Sequence, residues 1–74
     1  MAKIPTDLSG RRVLKALRRA GFEFRRQRGS HMIAIRSEPF CKVTIPDHKA
    51  IRIGTLRKIL AETGLTVEQF VELL

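Results

Sequence analysis

A chain of 74 residues is long enough for one small domain, in which folding buries about 60–65% of the unfolded surface. One cysteine excludes an internal disulfide, and a longest apolar run of four residues excludes a membrane-spanning helix. The charge is uneven: residues 1–36 carry ten Lys or Arg against two Asp or Glu, whereas residues 37–74 carry five of each. The whole excess of +8 therefore lies in the N-terminal half.

The N-terminal region predicts an irregular lead-in over residues 1–8, followed by a single domain over 9–74. Ser9 is a suitable helix N-cap, and apolar residues then recur at helical spacing. Lys and Arg occupy most of the positions between them. A glycine commonly follows the last residue of a helix, and Gly21 is in that position. We therefore predict an amphipathic basic helix over about 10–20.

The middle of the chain predicts three β-strands. From Phe22 onward the spacing of apolar residues changes to two, which is typical of strands. Gly29 and Ser30 predict a tight turn, and Pro39 lies in the next one. These short connections favour an antiparallel meander. The predicted strands lie at about 22–27, 31–36 and 41–45.

The C-terminal third predicts two helices. After a loop, Gly54 and Thr55 begin a helix that Gly64 ends. Thr66 and Gln69 form a capping box for a third, short helix. The order α-β-β-β-α-α is that of an α+β fold, and a three-stranded antiparallel sheet this small needs helices over one face.

His31 is the sharpest candidate for chemistry, because the Gly29-Ser30 turn places it at the start of a strand with arginines nearby in sequence. An imidazole moves protons near neutral pH, and guanidinium groups bind phosphate oxygens in a bidentate fork. The combination suits phosphate chemistry on a polyanion. Strand alternation places His31 on the side of Ile33 and Ile35, which we expect to be the core face. The alternative is therefore a packed or partly exposed structural histidine.

The remaining candidates are mostly basic. Arginines near His31 would stabilise a pentacoordinate phosphorane or hold a nucleic-acid backbone, and the alternative is a solvated strand face. Basic residues of the first helix are expected to contact the nucleic-acid backbone. His48 is either a solvent-exposed loop residue or a second proton donor, and Ser30 is a secondary candidate. The arginine and lysine candidates are Arg25, Arg26, Arg28 and Arg36 in the strands, and Arg11 and Lys15 in the first helix.

Charge and composition also limit the classes of partner that the protein is expected to bind. A one-sided basic surface favours nucleic acid, while an anionic membrane, an acidic protein or a merely solvated face are alternatives. No Cys, His, Asp or Glu spacing matches a metal site, so we expect no metal and no cofactor. The single cysteine and the lack of an apolar signal segment favour a reducing, cytoplasmic location.

Several short motifs occur in an order that resembles the HicA family, the small mRNA-cleaving toxins of bacterial and archaeal toxin–antitoxin pairs. The likeness spans about residues 9–74. It rests on these segments: Leu14-Lys15-Ala16-Leu17, Ala20-Gly21-Phe22, Arg26-Gln27-Arg28-Gly29-Ser30-His31, Val43-Thr44-Ile45-Pro46 with His48, Gly54-Thr55-Leu56-Arg57-Lys58-Ile59-Leu60, and Gly64-Leu65-Thr66 through Phe70.

The resemblance implies a double-stranded-RNA-binding-like fold and an endoribonuclease. Because the acidic residues are too scattered for a two-metal site, we expect such a nuclease to work without a metal ion. It implies that the catalytic residue is the histidine after Gly-Ser, here His31. It also implies two partners, the RNA substrate and a cognate HicB-type antitoxin. No membrane partner is expected, because the longest apolar run has four residues. The main alternative is a non-catalytic RNA-binding module of the same fold, and a small DNA-binding regulator using the basic helix is a third hypothesis.

Overall fold

The computed structural model describes residues 3–74 and contains six elements in the predicted order. The predicted ends agree with the observed ones to within one residue. Of the predicted lead-in, Met1 and Ala2 lie outside the described residues, and residues 3–8 form neither helix nor strand. No helix in the described part of the chain is long and apolar enough to cross a membrane. The elements are α1 (Gly10–Arg19), β1 (Glu23–Arg28), β2 (His31–Ser37), β3 (Phe40–Pro46), α2 (Ile53–Thr63) and α3 (Val67–Glu72).

The helix ends are set by local capping, as the sequence predicts. The Ser9 hydroxyl accepts a hydrogen bond of 3.1 Å from the amide of Arg12. Gly64 follows α2 in the left-handed conformation, with φ at 77°. Thr66 and Gln69 form both bonds of the capping box that begins α3, at 3.0 and 2.9 Å.

The three strands form an antiparallel sheet in the order β1-β2-β3. Strand β2 is therefore central, and a tight turn joins it to β1 on one side and to β3 on the other. A bulge interrupts β1 between Phe24 and Arg26. Helix α2 packs against β3, whereas β1 is the outer strand on the other side.

The hydrophobic core lies on the face of β2 that carries Met32 and Ala34. In the register of the sheet, Met32 is opposite Ile45 and Ala34 is opposite Val43, and all four are at least 98% buried. Directly opposite residues share a face, so these four form one apolar layer. Helix residues cover it, together with Phe22 and Ile51: Val13, Ala16, Leu17, Leu56, Ile59, Leu60 and Phe70.

The prediction that Ile33 and Ile35 face the core is wrong. Both alternate with Met32 and Ala34, so they and His31 lie on the opposite face of β2. Ile33 is only 7% exposed, yet it does not belong to the core cluster. His31 is exposed, which excludes a fully packed histidine.

Gly10 lies in close contact with the end of β3. Its amide donates a 2.9 Å hydrogen bond to the carbonyl of His48. A Cβ at this position would lie 1.9 Å from the carbonyl oxygen of Pro46, which no real side chain tolerates. Only glycine therefore lets the first turn of α1 lie against the end of β3.

Candidate active site

A two-residue turn presents His31 at the first position of β2. Gly29 has a φ of 59°, while Ser30 is not among the residues with positive φ. A left-handed first residue followed by an ordinary second one is the pattern of a type II′ hairpin turn. Arg28 is the register partner of His31, so the turn places a guanidinium and an imidazole on the same face of the hairpin.

His31 lies in an open depression of about 370 Å³ between the sheet and α2. Strand β3 supplies one wall and α2 the other. The depression brings together one imidazole, two ammonium groups, two hydroxyls and one carboxylate. Across residues 3–74, no three His, Cys, Asp or Glu side chains come close enough for a metal site. The lining residues are His31, Lys42, Thr44, Pro46, Thr55, Lys58, Ile59 and Glu62.

Arginines of β1 extend the positive charge on this face. Arg28 is opposite His31 and Arg26 is opposite Ile33, so both share the face of His31. Arg25 falls in the bulge and has no register partner. All three are exposed. The structure therefore brings Arg26 and Arg28 to the His31 side of the sheet.

Arg36 lies elsewhere. It alternates with Ile35 onto the helix-covered face, at the far end of β2, roughly 16 Å along the strand from His31. Its Nε donates a 3.1 Å hydrogen bond to the carbonyl of Pro39, and its guanidinium lies 4.9 Å from the centre of the Phe22 ring. These contacts use Arg36 for packing, away from the depression.

The basic residues of α1 do not share the His31 surface either, because α1 packs on the core face of the sheet. Arg11 forms a bidentate ion pair with Asp47, with both N–O distances at 3.2 Å. Lys15 is exposed beside the C-terminal residues in a separate hollow. The positive half of the sequence is thus divided between two sides of the molecule.

Asp47 connects the hairpin to α1 and to the end of β3. Its carboxylate accepts a 2.9 Å bond from Gln27 Nε2 as well as the bonds from Arg11, and its amide donates a 2.7 Å bond to the carbonyl of Ser30. The hydrogen bond from Gln27, followed by that from Arg11, lowers the pKa of the Asp47 carboxyl. Because Ser30 precedes His31, this network anchors the backbone of the turn that leads into the histidine.

His48 is exposed and lies outside the His31 depression. It lines a different hollow with Arg52 and Thr55, and its backbone carbonyl accepts the bond from Gly10. The two hollows share Pro46 and Thr55, so His48 lies in a neighbouring hollow and is not among the residues that line the His31 depression.

The sequence interpretation missed Lys42, Lys58 and Asp47 as site residues. Lys42 and Lys58 are 11 and 27 residues from His31, and only the packing of α2 on β3 brings them to one depression. The alternation of β3 does mark Lys42 as a residue on the outer face, which is the one local signal available. Asp47 follows β3 in a loop, and its bonds to Gln27 and Arg11 join residues 20 and 36 positions away, for which the sequence gives no local signal.

An exposed histidine beside lysines, on a sheet backed by a basic helix, defines a small basic α+β protein with a polar, cationic site. The family model described as the HicA toxin of bacterial toxin–antitoxin systems matches residues 10–65 of this 74-residue chain. The chain therefore belongs to the HicA toxin family, as its motifs predict. A toxin of such a pair has an antitoxin as its partner. No curated protein shows a significant match to the chain.

Proposed function

We propose that this HicA-family chain is a cytoplasmic endoribonuclease that cleaves mRNA through His31 without a metal ion, and that a cognate HicB-type antitoxin inhibits it. The observation that supports this function is the position of His31, exposed at the start of β2 inside a depression that also contains two lysines. Family membership supports the toxin role.

The proposed reaction uses the RNA's own 2′-hydroxyl as the nucleophile. The 2′-oxygen attacks the adjacent phosphorus, the bond from phosphorus to the 5′-oxygen breaks, and a 2′,3′-cyclic phosphate and a 5′-hydroxyl result. His31 serves this step either as the base that accepts the 2′-hydroxyl proton or as the acid that protonates the departing 5′-oxygen, and water carries out the other proton transfer. The RNA supplies the nucleophile, so a metal-bound hydroxide has no part in the scheme.

Arg28 is the residue best placed to stabilise the phosphorane. It is opposite His31 in the hairpin register, on the same face, and exposed. A guanidinium aimed at developing negative charge on phosphate oxygens is a strong form of transition-state stabilisation. Arg26 on this side, and Arg25 in the bulge, are assigned to the RNA backbone. The packing of Arg36 against Phe22 does not support a role at the scissile phosphate.

The test is cleavage of a single-stranded RNA by the wild-type chain, by His31→Ala and by the control His48→Ala. Loss of an acid–base group lowers the rate by roughly 10²–10⁴, which is the effect expected for His31. The His48 variant keeps the loop but removes an imidazole outside the depression, so its rate should stay near wild type. Cleavage should persist in EDTA.

An unchanged rate in the His31 variant would favour the alternative function, a non-catalytic RNA-binding module of the same fold. Double-stranded-RNA binders recognise shape and 2′-hydroxyls and need no proton transfer. Complete loss of activity with EDTA would contradict the metal-independent reaction.

A further inference from the structure

We infer that Lys42 of β3 and Lys58 of α2 form a phosphate-binding subsite, which holds the RNA backbone one or more nucleotides away from the phosphate that is cleaved. The inference rests on the ribonuclease function proposed above. It assigns two residues far from His31 in sequence to substrate binding, and it separates binding of the flanking backbone from the chemical step.

The register of the sheet sets the distance between Lys42 and His31. His31 is opposite Pro46, whereas Lys42 is opposite Ile35, four residues further along both strands. Four residues of strand correspond to roughly 13 Å. Lys42 thus lies on the same face as His31 but well along it, so that a strand bound over this face would present different phosphates to the two residues. A neighbouring phosphate of a bound strand is the group within its reach.

Helix α2 holds Lys58 at the opposite wall. Thr55, Lys58, Ile59 and Glu62 have the spacing i, i+3, i+4 and i+7, which defines one face of a helix. Ile59 is 98% buried in the core, so this face is fixed against the sheet. Lys58 therefore projects from a rigid element beside β3, and its backbone needs no rearrangement to meet a ligand.

Both ammonium groups are available to an anion. The only ion pair within residues 3–74 joins Arg11 to Asp47, so neither lysine is paired with a carboxylate there. Lys42 and Lys58 are both exposed. Two cations that line one concave site attract an anion to it.

The other polar groups of the depression indicate phosphate as the ligand. Thr44 and Thr55 line it with hydroxyl groups, and lysine and hydroxyl side chains are frequent partners of phosphate oxygens in nucleic-acid complexes. Glu62 is the one acidic lining residue. Its carboxylate opposes an anion, so removal of its charge is expected to strengthen binding, the opposite of the effect of removing a lysine charge.

The decisive experiment measures RNA binding in the His31→Ala background, in which the proposed reaction is blocked. A labelled single-stranded RNA is titrated at several salt concentrations with three variants, Lys42→Gln, Lys58→Gln and Glu62→Gln. Each lysine variant should weaken binding about three- to tenfold and reduce the log–log salt slope by about 0.7, the value for one lost phosphate contact. The Glu62 variant should bind RNA more tightly than its parent.

Arg57→Gln is the matched control. It removes the same charge from the same helix, one residue from Lys58, but Arg57 does not line the depression. Its affinity should change less than twofold, and Lys58→Arg should recover most of the affinity that Lys58→Gln loses. An equal loss in the Arg57 and Lys58 variants would overturn the subsite in favour of a diffuse charge effect.

A kinetic measurement in the protein that retains His31 distinguishes failure of this inference from failure of the proposed ribonuclease function. Lys58→Gln should raise KM about as much as it weakens binding, with kcat within about twofold of wild type. Wild-type cleavage with no dependence on either lysine overturns the subsite alone. Lysine-dependent binding by a chain that does not cleave RNA supports the subsite and overturns the ribonuclease.

Discussion

Arg28 and His31 face each other across the closed end of the β1–β2 hairpin, with only Gly29 and Ser30 between them. Their relative position is therefore set by the backbone of the turn, and the turn depends on the positive φ of Gly29. An L-residue with a side chain at this φ is strained, whatever space surrounds it. The hairpin thus fixes the geometry between the proposed proton-transfer group and the proposed phosphate-binding group.

Gly29→Ala should destabilise the protein by about 1–2 kcal/mol and lower RNA cleavage, because φ at this position is 59°. No atom lies within 4 Å of the Cβ that would be added, so the cost is backbone strain and not a clash. Chemical denaturation and cleavage assays measure the two effects. Ser30→Ala is the control: the Ser30 contact with Asp47 uses its backbone carbonyl, which alanine keeps. Equal unfolding free energies for the two variants would contradict this account.

The sequence predicts those features of the fold that are determined by neighbouring residues. Ser9 caps α1, the Thr66-Gln69 capping box begins α3, and Gly64 ends α2, each through contacts within a few residues. The hairpin turn and the position of His31 at a strand start are local in the same sense. These signals were sufficient for the element order and for the family.

Features determined by packing were not predictable in the same way. The apolar run from Met32 to Ile35 has no alternation, so the buried face of β2 is decided by its pairing with Val43 and Ile45. Taken alone, the run placed the core on the wrong side. The association of Lys42 and Lys58 with His31 similarly depends on how α2 packs against β3.

Gly10→Ala should lower the free energy of unfolding by at least about 1–3 kcal/mol, which is the usual cost of overpacking a tight contact. The reason is the 1.9 Å approach of the added Cβ to the Pro46 carbonyl oxygen. Gly54→Ala is the matched control, since its Cβ would meet no atom within 4 Å and its φ is ordinary. Alanine in this first turn of α2 should be neutral or slightly stabilising. Similar denaturation midpoints for the two variants would contradict the steric argument.

Asp47→Asn should remove a pH-dependent part of the stability. The pKa of the Asp47 carboxyl is lowered in the folded state, first by the bond from Gln27 and then by the bond from Arg11. Because the pKa is lower in the folded state, the ionised carboxylate stabilises the fold at every pH above 3.8, the ordinary pKa of an aspartate. This stabilisation is lost as the pH falls through the lowered pKa of the folded state. Unfolding measured from pH 7 to pH 3 should show the two proteins converging below about pH 4. A constant difference over that range would contradict the assignment.

The last prediction concerns the antitoxin. We expect it to inhibit by covering His31, with acidic groups that meet Arg26 and Arg28 on the same face, and with about 1,200–2,000 Å² buried in total. Opposite charges accelerate association more than they strengthen the final complex. Arg28→Gln should therefore slow antitoxin association, and the effect should shrink as salt is raised.

Arg12→Gln is the control for this prediction, because Arg12 is exposed on α1, which packs on the opposite face of the sheet from His31. The same loss of charge there should leave the association rate nearly unchanged at physiological salt, since screening weakens charges beyond about 8 Å. Arg36, packed against Phe22 on the helix-covered face, should lie outside the interface as well. A complex in which His31 remains open to solvent would contradict occlusion, and inhibition would then have to act through the hairpin or the Asp47 network that positions His31.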